Sequence, residues 1–418
     1  MADPAAIELA GPTLVLLMAA HCGAARAFAQ SHFRTAEILD LSDSAAEAEW
    51  DGIAVSAARL LAAGGVAVIP SGKLDAYRRR QFVAVARSCY ATRLAVVLDY
   101  PESYLRELAP PVDEVSSTQL AAGIAALRAD IPRLSREREG FRKVVVFTHP
   151  AAAAAAAVIR GILPCDRQEC RGPFDLIGDV HGCFTELTAL LSALGYRIAW
   201  APDREAFDSA HPAGRTVVFL GDLADRGPGV CQVFRLAMDM VAIGQALWVP
   251  GNHDMRLLRV LQGGKASMNH GLPLTLEQLD REPLEFRLRL IEFLERRVSH
   301  YVLDGGALIA VHGGLKEEMH GRNTGAVLAF ALYGDATGEL DGFGLPIRRD
   351  WAADYRGVAR VIYGHTPISR PRWINNTINI DTGCVFGGSL TALRYPELEL
   401  VQVSAGRAYC EPLRPMCD

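Results

Sequence analysis

No charge of one sign dominates the 418-residue chain, whose formal net charge is −5. That balance gives no global pull toward nucleic acid or an anionic membrane, so any polyanion site must be built locally. A disulfide framework is excluded, because nine cysteines spread over this length do not make one. A reducing, cytoplasmic setting is the expectation. Cys165 and Cys170, in "CDRQEC", are followed by no second Cys or His pair at zinc-site spacing, so structural zinc is not expected there. No apolar run is long enough to span a bilayer. The nearest approach is "TLVLLMAAHCGAARAFAQ" (Thr13–Gln30), whose "AFA" imitates a leader cleavage site. The residues before it hold Asp3 and Glu8 and neither Lys nor Arg, the wrong start for a secretory leader. This stretch is expected as a buried strand running into a helix, with no membrane partner. There is no internal repeat, and no disordered tail is expected.

Half the residues are hydrophobic and 22% are charged, an ordinary globular composition, and the length suits two domains. Up to about residue 163, apolar runs alternate with Ala-, Leu- and Arg-rich stretches of helical period. The runs are "TLVLLMA" (13–19), "TAEILDL" (35–41), "VAVIPS" (66–71), "RLAVVLDY" (93–100) and "KVVVFT" (143–148). Unbroken apolar strands between helices predict a parallel sheet covered on both faces. The alanine run at 151–157 reads as helix. Polar residues 164–172 read as a linker between a domain at 1–163 and a second at 173–418.

The second domain holds the chemistry. Five stretches share one pattern, an apolar run, then glycine, then ligands: "LIGDVHG" (176–182), "VVFLGDLADRGP" (217–228), "LWVPGNHD" (247–254), "LIAVHGG" (308–314) and "VIYGHTP" (361–367). Glycine permits a sharp exit from the strand and aims the next side chains into a common cleft. Strand ends are the usual ligand crevice of layered α/β proteins. His181, His253, His312 and His365 all fall in these stretches. Mixed carboxylate, amide and imidazole donors suit Mn²⁺, Fe²⁺, Ni²⁺ or Zn²⁺ better than Ca²⁺ or Mg²⁺.

In their order, GDxHG, GDxxDRG, GNHD, HGG and a late GH, these motifs resemble the calcineurin-like binuclear metallophosphoesterases. The resemblance implies an αββα sandwich for the second domain and two divalent ions, Mn²⁺ foremost. It assigns Asp179 and His181 to one ion, Asp222 as a bridge, and Asn252, His312 and His365 to the other. Two ions roughly 3.5–4 Å apart can ionise a water and steady in-line attack on phosphorus. His253 would protonate the leaving alkoxide, held by Asp225, while Arg226 with Asn252 and His253 binds the phosphate. Asp381, in "NIDTG", either supports the metals or caps a turn.

Within that superfamily, longer segments look like the phosphatase module of bacterial polynucleotide kinase-phosphatases, RNA-repair enzymes. They are "GPFDLIGDVHGCFTEL", "HGLPLTLEQL", "LYGDATGELDGFGLPIRRDWAADYRG" and "NIDTGCVFGGSLTALRYPELELVQV", spanning nearly all of 172–405. Asp254 stands where Ser/Thr protein phosphatases usually have Glu. The first half resembles that family's P-loop kinase module in layout and in "AVVLDYP" and "EREGFRKVVVF". A P-loop needs GxxxxGK[ST] to cradle phosphate. Here "AAHCGAARA" puts Ala24, Ala25 and Arg26 at the required glycine, lysine and hydroxyl. "PSGK" (70–73) and "ELAPPVDE" (107–114) depart from the family's pattern too. The first domain is therefore expected to keep the kinase fold without transferring a phosphoryl group from ATP, with no nucleotide-binding residues assigned in it, and to serve docking or dimerisation.

The expected function is healing of RNA 3′ ends, opening a 2′,3′-cyclic phosphate and removing the 3′-phosphate. No fused ligase module is expected, so the resemblance implies a separate RNA ligase, an RNA 3′-terminal methyltransferase and a homodimer. "YRRRQF" (77–82), "SREREGFRK" (135–143) and "LPIRRDW" (345–351) offer local cations for phosphate contact. The rival readings are a Ser/Thr protein phosphatase, a dinucleoside polyphosphate hydrolase, and a non-catalytic scaffold of a repair complex.

Overall fold

A computed structural model describes residues 6–40, 46–72, 74–108, 117–135 and 137–414. Lys73 of "PSGK", Leu41, Arg136 and residues 109–114 lie outside them, with the expectations placed on those positions. The chain divides into two compact units, Met1–Leu163 with Arg322–Thr324, and the remainder from Pro164.

The first unit is α/β. Four parallel strands run in the order Val66–Ser71, Thr13–Ala19, Thr92–Leu98, Lys143–Phe147. Thr13–Ala19 is buried at all seven positions, as a central strand covered on both faces must be. Its side chains alternate accordingly. Val15 and Leu17 join Ala25 and Phe28 of the helix Cys22–His32 in one core. Leu14, Leu16 and Met18 join Trp50 and Phe82 in the core on the opposite face. Only Ala20 and His21 separate the central strand from its helix, and Arg26 pairs with Asp40 at 2.8 Å.

Three sequence expectations need correction here. Residues 35–40, the described part of that run, do not form a strand: Thr35–Glu37 is a 3₁₀ turn, followed by one isolated bridge from Ile38 to Val68. The alanine run is helical only over Pro150–Ala154. From Ala157 it becomes the strand Ala157–Gly161, paired in parallel with Ala6–Ala10. Alanine's helix propensity is a weak prior, and a ladder of backbone hydrogen bonds overrides it. Finally, the cations of "YRRRQF" are not all free for phosphate. Arg79 is 1% exposed and pairs with Asp130 and Glu139, both at 2.7 Å, while Arg78 pairs with Glu47.

The second unit is a sandwich of two sheets. One has the order Ala246–Trp248, Thr216–Phe219, Phe174–Ile177, Ser389–Tyr395, Glu399–Ser404. The other runs Trp373–Ile374, Thr377–Asn379, Arg360–Tyr363, Leu308–Val311, His300–Leu303, Asp166–Arg167. The stretch expected as a linker thus supplies an edge strand. Leu176 and Val218 face Ala310, Ile362 and Ile378 between the sheets. Their neighbours Ile177, Val217 and Phe219 face outward, onto the helices Phe184–Leu194 and Val230–Ala242. No helix among the described residues is long and apolar enough to cross a membrane.

His300, buried in the second sheet, and the half-buried His320 after the turn Glu317–Met319 predict acid lability. Burial pushes the imidazole of His300 down to about 3 and that of His320 down to about 4. His300 Nε2 accepts the N–H of Gly321 at 3.0 Å, which requires the neutral ring. Unfolded histidines titrate near 6.5. Between about 6.5 and those lowered values the unfolded chain binds protons that the folded chain refuses, so stability falls as pH falls. Denaturant midpoints measured from pH 7.5 to 4.5 should decline, and His300→Asn should make the decline shallower. An unchanged slope in that variant would contradict the assignment.

Candidate metal centre and catalytic site

The ligand-bearing turns leave the carboxyl ends of five strands. Phe174–Ile177, Thr216–Phe219 and Ala246–Trp248 are mutually parallel, so Asp179, Asp222 and Asn252 emerge at one edge of the first sheet. Leu308–Val311 and Arg360–Tyr363 are parallel in the second sheet and present His312 and His365 together. Hydrogen bonds tie the two edges. His312 Nδ1 contacts the Leu220 carbonyl at 2.8 Å, and the His365 amide donates to Asp179 Oδ1 at 3.1 Å.

The turns are conformationally costly. His181, Asp222, Asp225, Arg226 and His365 all have positive φ, between 43° and 74°. Non-glycine residues are held there at about 1–3 kcal/mol each, only where their surroundings over-determine them. Two glycines show how close the approach is. A Cβ on Gly251 would lie 2.0 Å from Asp222 Oδ1, and one on Gly364 would lie 2.1 Å from Asp179 Oδ1. No other residue fits at either position without displacing a carboxylate.

Two groups of donor atoms share Asp222: one with His181 and His253, the other with His312 and His365, each spanning no more than 4.8 Å. Asp222 Oδ2 is 3.6 Å from Nε2 of both His181 and His312, and 4.0 Å from Nε2 of His253. His181 Nδ1 lies 2.7 Å from the Ala224 carbonyl, so it carries the proton and leaves Nε2 as a lone pair. The Leu220 contact sets His312 the same way. His312 Nε2 faces Asn252 Oδ1 at 3.2 Å and His365 Nδ1 at 3.0 Å. Burial pushes Asp222 and Asp381 up to about 7, and burial with Asp381 and Asp222 nearby pushes Asp179 well above its ordinary value. Three buried carboxylates close to one another, Asp222 among them facing imidazole lone pairs, form a set that divalent cations neutralise, so these residues fit a metal pair.

Beside these donor groups sits a second constellation. His253 Nδ1 is 2.6 Å from Asp225 Oδ2, and His253 Nε2 is 3.1 Å from Arg226 Nη2. The Arg226 guanidinium also reaches His181 Nε2 at 2.5 Å. Burial, with Arg226 and Arg256 close by, holds the His253 imidazole well below its ordinary value. Asp381 accepts the Gly383 amide at 3.0 Å, and its carboxyl raises that of Asp179, so it caps a turn and borders the cluster at once.

Sequence reasoning missed four participants. Arg256 donates to Asp225 Oδ2 at 2.5 Å, and Thr275 Oγ1 donates to Asp225 Oδ1 at 2.7 Å, so Asp225 is fixed from three sides. Arg256 lies three residues after His253 on the same helix, a spacing that could have revealed it. Asp254 accepts the amides of Gly251, Leu223 and Ala224, stitching the second and third motifs together. Arg348 donates to His365 Nε2 at 2.8 Å, from a segment seventeen positions away.

An αβ sandwich whose strand ends converge on such a cluster defines a phosphoesterase of the calcineurin-like kind. The calcineurin-like phosphoesterase family profile matches residues 172–369. The chain belongs to that family and is a metal-dependent phosphoester hydrolase. Among its relatives, bis(5′-nucleosyl)-tetraphosphatase PrpE (asymmetrical) of Anoxybacillus flavithermus is 45% identical over 247 residues, 58% of this chain and 98% of that protein. The protein of the same name from Halalkalibacterium halodurans is 46% identical over 55% of this chain and 93% of its own length. That of Bacillus subtilis is 43% identical over 57% of this chain and 97% of its own.

Proposed function

We propose that the second unit hydrolyses dinucleoside polyphosphates, splitting a tetraphosphate bridge unequally. The observation that carries this reading is the likeness to the Anoxybacillus tetraphosphatase, sustained over 98% of that protein's length at 45% identity. The residues suit the task. Asp179, His181, Asp222, Asn252, His312 and His365 would hold divalent ions, whose chemistry there would be charge stabilisation of a phosphoryl group and ionisation of an attacking water. Arg226 binds the oxygens of the phosphate under attack, its planar fork lying between the two histidines. A phosphate dianion seated on Arg226 cancels the charge that disfavours protonated His253. His253 then carries its proton on Nε2, oriented by Asp225, and can pass it to the departing oxygen.

A second reading is favoured by that same proton donor. A nucleotide leaves readily as an anion, whereas a ribose alkoxide needs a proton, so the His253–Asp225 pair suits RNA 3′-phosphate and 2′,3′-cyclic phosphate ends. The segments resembling polynucleotide kinase-phosphatases and the α/β first unit, which lies beyond the profile match at 172–369, support it. On this reading a separate ligase, a methyltransferase and a homodimer belong to the system.

Purified protein with Mn²⁺ should be assayed on a dinucleoside tetraphosphate, on RNA bearing 2′,3′-cyclic phosphate or 3′-phosphate, and on a phosphopeptide. The proposal expects kcat/KM for the tetraphosphate to exceed that for either RNA end by at least about tenfold. The reverse order would establish the RNA reading and remove the first.

A further inference from the structure

Next to the metal centre is a second cationic feature that the proposed chemistry does not use. A cleft of 360 Å³ opens beside Gly313 and Thr366, the residues that follow His312 and His365. Arg348, Arg349, Arg370, Arg372 and Arg414 line it, against the single carboxylate of Asp350. That carboxylate is already engaged, accepting the Ala353 amide at 3.2 Å to cap a short helix. Arg349 and Arg414 have only long contacts, 3.5 Å each, to Asp335 and Asp341. Among the described residues, Arg370 and Arg372 have no carboxylate within ion-pair distance. Five guanidinium groups around one concavity repel each other, and a fold retains such a cluster at lowest cost where an anion neutralises it. Guanidinium forks match phosphate oxygens, and the cleft's size is that of a small-molecule site.

We infer that this cleft is a subsite for a polyphosphate chain, in which Arg370, Arg372 and Arg414 hold the phosphates next to the one under attack. Arg348, hydrogen-bonded to His365 at 2.8 Å, joins the subsite to the metal centre. The inference rests on the proposed dinucleoside polyphosphate activity and adds to it the residues that select for several linked phosphates over one. A monoester would reach only Arg226, whereas a tetraphosphate would engage both ends of the site.

The test begins with the metal-free full-length chain, titrated calorimetrically with inorganic tripolyphosphate and with inorganic phosphate. Wild type should bind tripolyphosphate more tightly than phosphate, and Arg370→Ala/Arg372→Ala should weaken tripolyphosphate binding by about tenfold or more, since charged hydrogen bonds are lost. Thermal melting by circular dichroism should not change, because both side chains are exposed. With Mn²⁺ present, the ratio of kcat/KM for dinucleoside tetraphosphate to that for p-nitrophenyl phosphate should fall in the double variant, mainly through KM. Equal tripolyphosphate binding by wild type and variant, or none by wild type, overturns the subsite. Loss of affinity for a 3′-phosphate RNA oligonucleotide with tripolyphosphate binding intact also overturns it, and marks a nucleic-acid groove instead. If wild type fails to cleave the tetraphosphate but the variant still loses tripolyphosphate binding, the proposed substrate falls and the polyphosphate subsite stands.

Discussion

Replacement of His253 by alanine should lower kcat by about 10²–10⁴ on a substrate whose leaving group is an alkoxide, the usual contribution of a positioned acid. The drop should be smaller for p-nitrophenyl phosphate, because a weakly basic leaving group needs little protonation. Metal content, measured by atomic emission after dialysis against Mn²⁺, should remain that of wild type. His253 Nε2 lies 4.0 Å from Asp222 Oδ2, against 3.6 Å for Nε2 of His181 and of His312, and its Nδ1 is committed to Asp225. Loss of an ion from His253→Ala would make it a ligand instead of an acid. Asp222→Ala is the contrasting case. Its carboxylate is common to both donor groups, so its removal should deplete both ions and abolish activity on every ester. Retention of two ions in that variant would dismiss the bridging role.

Arg215→Ala should destabilise the second unit by about 3–5 kcal/mol, the range for breaking a buried ion pair from one side. Arg215 donates to Asp175 at 2.9 Å, to Glu397 at 2.8 Å, and to the carbonyls of Phe174 and Tyr395 at 2.8 and 3.2 Å. Asp175 is fully buried, and alanine would leave it only Tyr196 at 3.0 Å and Arg394 at 3.3 Å. This cluster joins Phe174–Ile177, the strand that delivers Asp179, to Ser389–Tyr395 beside it. Equilibrium denaturation followed by tryptophan fluorescence would measure the loss. Arg215→Lys should recover only part of it, since an ammonium keeps the charge but cannot make the forked contacts. A change below about 1 kcal/mol for Arg215→Ala would mean that Arg394 replaces it.

Much of this site was legible in the order of residues, for a local reason. Each candidate donor follows a strand end within a few positions, and the glycine between them fixes where the chain turns. "LIGDVHG" therefore placed Asp179 and His181 at a strand end before any contact was known. The apolar runs at 13–19, 66–71 and 93–100 were legible likewise, because a strand buried on both faces is apolar throughout, whereas Lys143–Phe147, apolar after its lysine, stands only partly buried at the sheet's edge. Residues 35–40 and the alanines at 151–157 misled, since their conformation answers to the neighbouring ladder and not to their own propensity. Arg79 misled for a similar reason. Its partners Asp130 and Glu139 lie more than fifty positions away, and nothing near "YRRRQF" announces them.

Residue order alone specified which side chains are donors and at which strand ends they stand, because those placements depend on short-range backbone geometry. Contact between distant segments set everything that depends on pairing. It aimed Arg256 and Thr275 at Asp225, joined Arg348 to His365, and gathered five arginines around one cleft. Packing two sheets face to face brings such segments within hydrogen-bond reach, and no local pattern records which of them will meet.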